Sequence, residues 1–245
     1  MRIIDTIDKK YLKPIPEYKN SLKDWEQISI IDNNEALVSL KDIDKKIIIS
    51  PQYFLNNIKG AENNCLVRKS IAEKLIKIAN KLPQGFYLLI WDAFRKIDVQ
   101  NELFKKYYNE VKEQNKALSE NEIIEITKKF VSLPSKDGKR PSPHNTGAAV
   151  DLTICNEEGI SISMGSLFDD FTVQSYTRFY EEKLERGELL TEEETEILYN
   201  RRILCNLFSE ENFMNYPYEI WHKSYKDQMC AKILHQTNAE YGGIE

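Results

Sequence analysis

Residues 141–154 read PSPHNTGAAVDLTI. Beyond Gly147 the segment alternates: Val150, Leu152 and Ile154 share one face of an extended chain, while Ala149, Asp151 and Thr153 share the other. The bulky face predicts a buried strand, and the other face aims Asp151 into a space lined by small residues. The loop that feeds this strand, SLPSKDGKRPSPHNTG, is rich in Pro, Gly and Ser and carries His144, one of three histidines in the chain. On its own, a loop histidine beside a strand carboxylate is a turn cap next to a hydrogen-bonded acid.

Working outward, DKKIIIS (44–50) predicts a short strand that Pro51 ends. Over 68–82, Ile71, Leu75, Ile78 and Leu82 recur at helical spacing, and Pro83 and Gly85 stop the helix. GFYLLIWDAFR then gives a buried strand (86–91) that runs into a charged turn and a helix through Leu103, Phe104 and Tyr107. Ser119 and Glu122 form a capping-box pattern for a helix over 120–131. The acidic run EEKLERGELLTEEETE (181–196) predicts a solvated helical surface, and His235 falls on an apparent helix with a surface or capping role. The expected fold is α+β: residues 1–245 as a single domain, with helices packed on a central, mostly antiparallel sheet.

Composition removes several function classes. The 34 basic and 39 acidic side chains leave a charge of −5 without a basic cluster, so nucleic acid is not an expected partner. The longest wholly apolar stretch, 86–91, is too short to cross a bilayer, and MRIIDTIDKKYLKP has no continuous apolar run of the secretory type. Cys65, Cys155, Cys205 and Cys230 are widely spaced without a CxxC pair, which points to the reducing cytosol. Cys155 and Cys230 read as small buried hydrophobes. Nothing in the sequence commits an oligomeric state.

The second informative stretch is YPYEIWHKSY (216–225). Pro217 and the interleaved Tyr216, Tyr218 and Ile220 favour a strand or strand end over a helix, and a bulge near Trp221 would turn both Glu219 and His222 inward. A catalytic zinc takes three nitrogen or carboxylate ligands and keeps one open position. His144, Asp151 and His222 would supply that set. Glu219, flanked by apolar groups that raise its pKa, fits the base that takes a proton from water and hands it to a leaving amine.

The combination SxHxxGxAxD (Ser142, His144, Gly147, Ala149, Asp151) with a later ExWH (Glu219, Trp221, His222) resembles the zinc D-alanyl-D-alanine dipeptidases of the VanX type, within the wider zinc D,D-peptidase class. LLIWDAFRK resembles that family's strand followed by DxYRP, and MGSLFDDF (164–171) resembles the segment between its two metal motifs. The resemblance spans 66–228, whereas the first 60 residues give no firm match and leave an expected substrate-binding tyrosine unplaced. It implies one zinc per chain on His144, Asp151 and His222, with Glu219 as general acid/base. It further implies Arg95 at the oxyanion, and Asp169 and Ser142 toward a small D,D-dipeptide whose ammonium Asp169 receives.

Departures from the family pattern are Ile220 for a tryptophan, Lys96 for a proline, Phe94 for a tyrosine and Pro143 for a serine. None replaces a proposed ligand, and all bear on the pocket's shape. A zinc D,D-carboxypeptidase or peptidoglycan endopeptidase shares the same skeleton, and a non-catalytic peptide-binding protein on this fold is the third alternative.

Overall fold

The computed structural model describes residues 2–244. Its strands are β1 (Ser29–Ile30), β2 (Leu37–Ser39), β3 (Ile47–Ile49), β4 (Leu66–Arg68), β5 (Phe86–Asp92), β6 (Ala149–Asn156), β7 (Met214–Asn215), β8 (His222–Ser224) and β9 (Asn238–Ala239). Its α-helices are α1 (Gln52–Leu55), α2 (Lys69–Lys81), α3 (Ile97–Gln114), α4 (Glu120–Lys128), α5 (Phe179–Glu185), α6 (Glu192–Glu210) and α7 (Gln228–Ile233).

The apolar stretches of 86–91 and 149–155 become β5 and β6, which pair antiparallel at the centre of a five-stranded sheet ordered β3-β5-β6-β8-β7. Within this sheet, among the described residues, only the β3–β5 pairing is parallel, so the sheet is mostly antiparallel as expected. The anticipated core face of β6, Val150, Leu152 and Ile154, packs with Leu88 and Ile90 of β5 and with Ile71, Leu75 and Ile78 of α2. Burying each such aliphatic side chain contributes about 1.5–3 kcal/mol. The other face of β6 is buried too, because the site described below covers it.

Register in β5 is broken once. Ile90 faces Leu152, yet Asp92 rather than Trp91 faces Asp151, so Trp91 is an extra residue that bulges out of the ladder. The freed indole packs on Phe168, with ring centroids 5.1 Å apart.

Four local expectations change. Residues 216–221 form a turn between β7 and β8 instead of a strand, since Pro217 removes a ladder donor; His222 opens β8. The helix beginning at Glu120 ends at Lys128, with the Ser119–Glu122 capping box formed. The acidic run divides into α5 and α6, and Glu181 within it is buried because Arg202 grips both its carboxylate oxygens at 2.7 Å. The later turns of α6 bring Ile203, Leu204, Leu207 and Phe208 into the core. His235 lies beyond α7 with φ 55°, an exposed left-handed residue after the helix end.

Candidate active site

His144 sits in a single 3-10 turn, Pro143–Thr146, closed by Gly147 in the left-handed region at φ 69°. The backbone angle favours glycine, and a Cβ there would stand 2.5 Å from Cδ2 of Leu37, whose side chain would have to move. The turn points the imidazole at Ala93, whose carbonyl oxygen receives a hydrogen bond from Nδ1 at 2.8 Å. A carbonyl only accepts, so Nδ1 carries a proton and Nε2 is the nitrogen left to face the cluster. That Nε2 lies 3.3 Å from Oδ2 of Asp151 and 3.1 Å from Nδ1 of His222.

Asp151 and His222 meet because β6 and β8 place them directly opposite each other. Nδ1 of His222 is 3.1 Å from Oδ1 of Asp151, and its Nε2 is 3.0 Å from the Ser224 hydroxyl. One donor atom from each of the three residues falls within 4.8 Å of the others. A tetrahedral zinc with bonds of 2.0–2.2 Å holds neighbouring ligand atoms about 3.3–3.6 Å apart, which the spacing here approaches. The chemistry fits as well, since lone pairs and a carboxylate converging this closely repel unless a cation lies among them. Burial opposes the charge of Asp151, yet His144 and His222 hold its carboxyl well below the usual range. Burial pushes His222 down to about 4 against the pull of Asp151, which keeps its ring neutral and able to ligate.

Glu219 is delivered by the turn before β8, buried, with Oε2 3.9 Å from Nδ1 of His222. Burial first, then the charges of Asp151 and Asp169, raise its carboxyl well above the usual value. Arg95 is buried and held from several sides. Its Nε and Nη2 donate to Oδ2 of Asp92 at 3.0 and 2.7 Å, Nη1 donates to Gln100 at 2.8 Å, and Asp151 Oδ2 is 3.6 Å away. Asp169 adopts φ 57°, and its carboxylate accepts a hydrogen bond from the Tyr53 hydroxyl at 3.3 Å. Burial and then Asp151 push its carboxyl up to about 7. Ser142 is buried in the same cleft wall, at the N-cap position of the turn that carries His144.

A single cleft thus gathers all seven residues singled out from the sequence, Arg95, Ser142, His144, Asp151, Asp169, Glu219 and His222. Two more were missed. Tyr53, from the short helix α1, bridges Asp169 and Arg95, each at 3.3 Å, where the first 60 residues had offered no placeable tyrosine. Asp92, inside the LLIWDAFRK stretch, bonds Arg95 and lies 3.3 Å from Nδ1 of His144, a position it owes to the Trp91 bulge. The pairing of an acid with Arg95 three residues later was the available signal.

The sequence profile of the peptidase M15 family, described as D-ala-D-ala dipeptidase, matches residues 33–241. A D-alanyl-D-alanine dipeptidase from Synechocystis sp. is 26% identical over 192 residues, spanning 73% of this chain and 77% of that protein. Among solved structures, a vancomycin-resistance D,D-pentapeptidase VanY in complex with Zn(II) superposes with a TM-score of 0.39 and 16% identity, covering 73% of this chain and 83% of that one. VanYB in complex with D-Alanine-D-Alanine gives a TM-score of 0.37 and 19% identity, covering 73% and 82%. The chain belongs to the peptidase M15 family of D-Ala-D-Ala dipeptidases, and with it to the zinc metallopeptidases.

Proposed function

We propose that the protein hydrolyses D-alanyl-D-alanine to free D-alanine. The observation that carries this reading is the pairing of the His144–Asp151–His222 cluster with a buried carboxyl, Glu219, 3.9 Å from one of its members. In this reading those three side chains hold one zinc ion. Bound there, zinc supplies Lewis acidity, which polarises the scissile carbonyl and lets water attack near neutral pH.

Glu219 takes the proton of the attacking water and returns it to the leaving amine. Its raised proton affinity suits a group that must accept a proton and give it back. Arg95 faces the carbonyl oxygen as negative charge grows there, and its bonds to Asp92 and Gln100 fix it beforehand, so little reorganisation is needed in the transition state. Asp169 pairs with the substrate ammonium, and Ser142 contacts the dipeptide from the wall. A requirement for a free amine would spare longer wall precursors.

The test is to incubate zinc-loaded protein with D-alanyl-D-alanine and measure free D-alanine, with Glu219→Ala as control. Release that needs both zinc and Glu219 is expected; a Glu219→Ala variant that keeps most of the activity overturns the mechanism.

A zinc D,D-carboxypeptidase is the second reading, and one observation favours it. Lys129, Ser132, Tyr216 and Met229 of the cleft also border a wide surface groove bounded by Trp25 and Arg140, which would accommodate a longer peptide. Comparing the free dipeptide with an N-acylated peptide ending in D-Ala-D-Ala separates the two. We assign the enzyme to the cytosol because Cys65, Cys155, Cys205 and Cys230 are all free thiols; no helix among the described residues is long and apolar enough to cross a membrane. The same chemistry serves removal of the dipeptide that glycopeptide antibiotics recognise and recovery of D-alanine.

A further inference from the structure

A D,D-dipeptide is a zwitterion, so its cleft must match two opposite charges at two places. The carboxylates Asp151, Asp169 and Glu219 and the cations Arg95 and Lys129 all line the cleft. Arg95 is committed by the reading above to the carbonyl oxygen, and its bonds to Asp92, Gln100 and Tyr53 hold it there rather than at the substrate's end. Lys129 pairs with no carboxylate among the described residues. Its ammonium lies 3.5 Å from the Tyr176 hydroxyl and 5.2 Å from the centroid of the Tyr218 ring.

We infer that Lys129 captures the terminal carboxylate of the substrate, an assignment that rests on the D,D-peptidase reading above. Lys129 caps α4, and its carbonyl accepts a hydrogen bond from the Tyr216 hydroxyl at 2.7 Å. The Tyr216 ring packs against the imidazole of His222, with centroids 5.3 Å apart. One tyrosine therefore both anchors the backbone of Lys129 and touches a proposed metal ligand, which roots the lysine stem one aromatic ring from the reacting centre. Asp169 is anchored elsewhere, through Tyr53 to Arg95. The two substrate charges thus have separate anchors, one on the Tyr53 wall and one beside the turn that carries Glu219. A lysine suits the second place: it is a compact point charge on a flexible stem, exposed at the cleft mouth and free to swing onto a carboxylate. The consequence is a substrate class that ends in a free carboxylate, which admits dipeptides and carboxypeptidase substrates and rejects internal bonds of a polymer.

Binding can be separated from turnover in a zinc-loaded Glu219→Gln background, by calorimetric titration with D-alanyl-D-alanine and with its C-terminal amide. The parent should prefer the acid by about 10- to 100-fold, the worth of a charge-assisted hydrogen bond. Adding Lys129→Met should remove most of that preference by weakening the acid alone, and Lys129→Arg should restore it. Lys128→Met, whose ammonium pairs with Glu125 at 2.9 Å, should leave it intact. A Lys129→Met protein that keeps the full preference overturns the assignment, as does a parent that binds acid and amide alike or binds neither. Release of D-alanine by the unmodified enzyme is measured separately, so failure of the reaction and failure of the Lys129 assignment give different results.

Discussion

The carboxylate of Glu219 stands 3.9 Å from Nδ1 of His222, and both side chains issue from the one turn and strand start between β7 and β8. A proposed base and a proposed ligand are thereby fixed to each other by three residues of backbone. Glu219→Gln keeps the shape and leaves the His144–Asp151–His222 cluster whole. It should lower kcat by about 10²- to 10⁴-fold, the usual worth of a positioned general base. Zinc content, measured by atomic absorption, should stay at the parent's level, whereas His222→Ala should lose the metal together with the activity.

Asp92 ties Arg95 to the metal cluster, since its Oδ2 accepts from Arg95 and also lies 3.3 Å from Nδ1 of His144. Asp92→Asn removes a negative charge 3.3 Å from Nδ1 of His144 and the carboxylate that holds Arg95, while the Ala93 carbonyl still orients the ring, so zinc binding should weaken by about 10-fold, the low end for changes around a metal ligand. Competition with a chromophoric chelator measures this, and an unchanged far-ultraviolet circular dichroism spectrum would show that the fold survives.

Gly147→Ala should destabilise the protein by about 2–4 kcal/mol, adding left-handed strain to a collision with Leu37. For a chain of this size that is a fall in Tm of about 5–15 °C, read by scanning calorimetry. Zinc stoichiometry should drop in parallel, because the strain falls between His144 and Asp151.

Asp169 supplies the pH dependence. Its carboxyl is raised from 3.8 to about 7, so between those values the folded protein retains a proton that the unfolded chain has released. Stability from this group is complete below the unfolded value and is lost as pH rises through about 7. Asp169→Asn, permanently neutral, should therefore match the parent in Tm near pH 4 and exceed it at pH 8. Its activity should move the other way. Ammonium capture needs the ionised acid, so kcat/KM of the parent should rise through pH 7, and Asp169→Asn should flatten that limb and raise KM.

Much of this architecture is legible in the residues. The alternation of Val150, Leu152 and Ile154 locates the central strand, the spacing of Ile71, Leu75 and Ile78 gives α2, and Ser119 with Glu122 marks the start of α4. Those features are local, and so the chain declares them. Tyr53 is not local: it comes from a four-residue helix with no periodicity and meets Asp169 from 116 positions away. The position of Asp92 depends on a bulge that alternation cannot announce, and the burial of Glu181 depends on Arg202, which lies beyond the acidic run that surrounds it. Long-range partners of this kind are set by topology, which one sequence does not display.

The loop that carries His144 is latched by residues nearly a hundred positions later. Asn145 exchanges backbone and side-chain hydrogen bonds with Ile244 at 3.1 Å, and Arg68 reaches from β4 to the carbonyls of both Thr146 and Gly242. Such contacts form late because they close very long loops. During synthesis, a ribosome-bound chain that has already exposed His144 and Asp151 still lacks His222 and the latch. The proposed site can therefore assemble only after residue 222 has been made, and the latch on its loop only after residue 244.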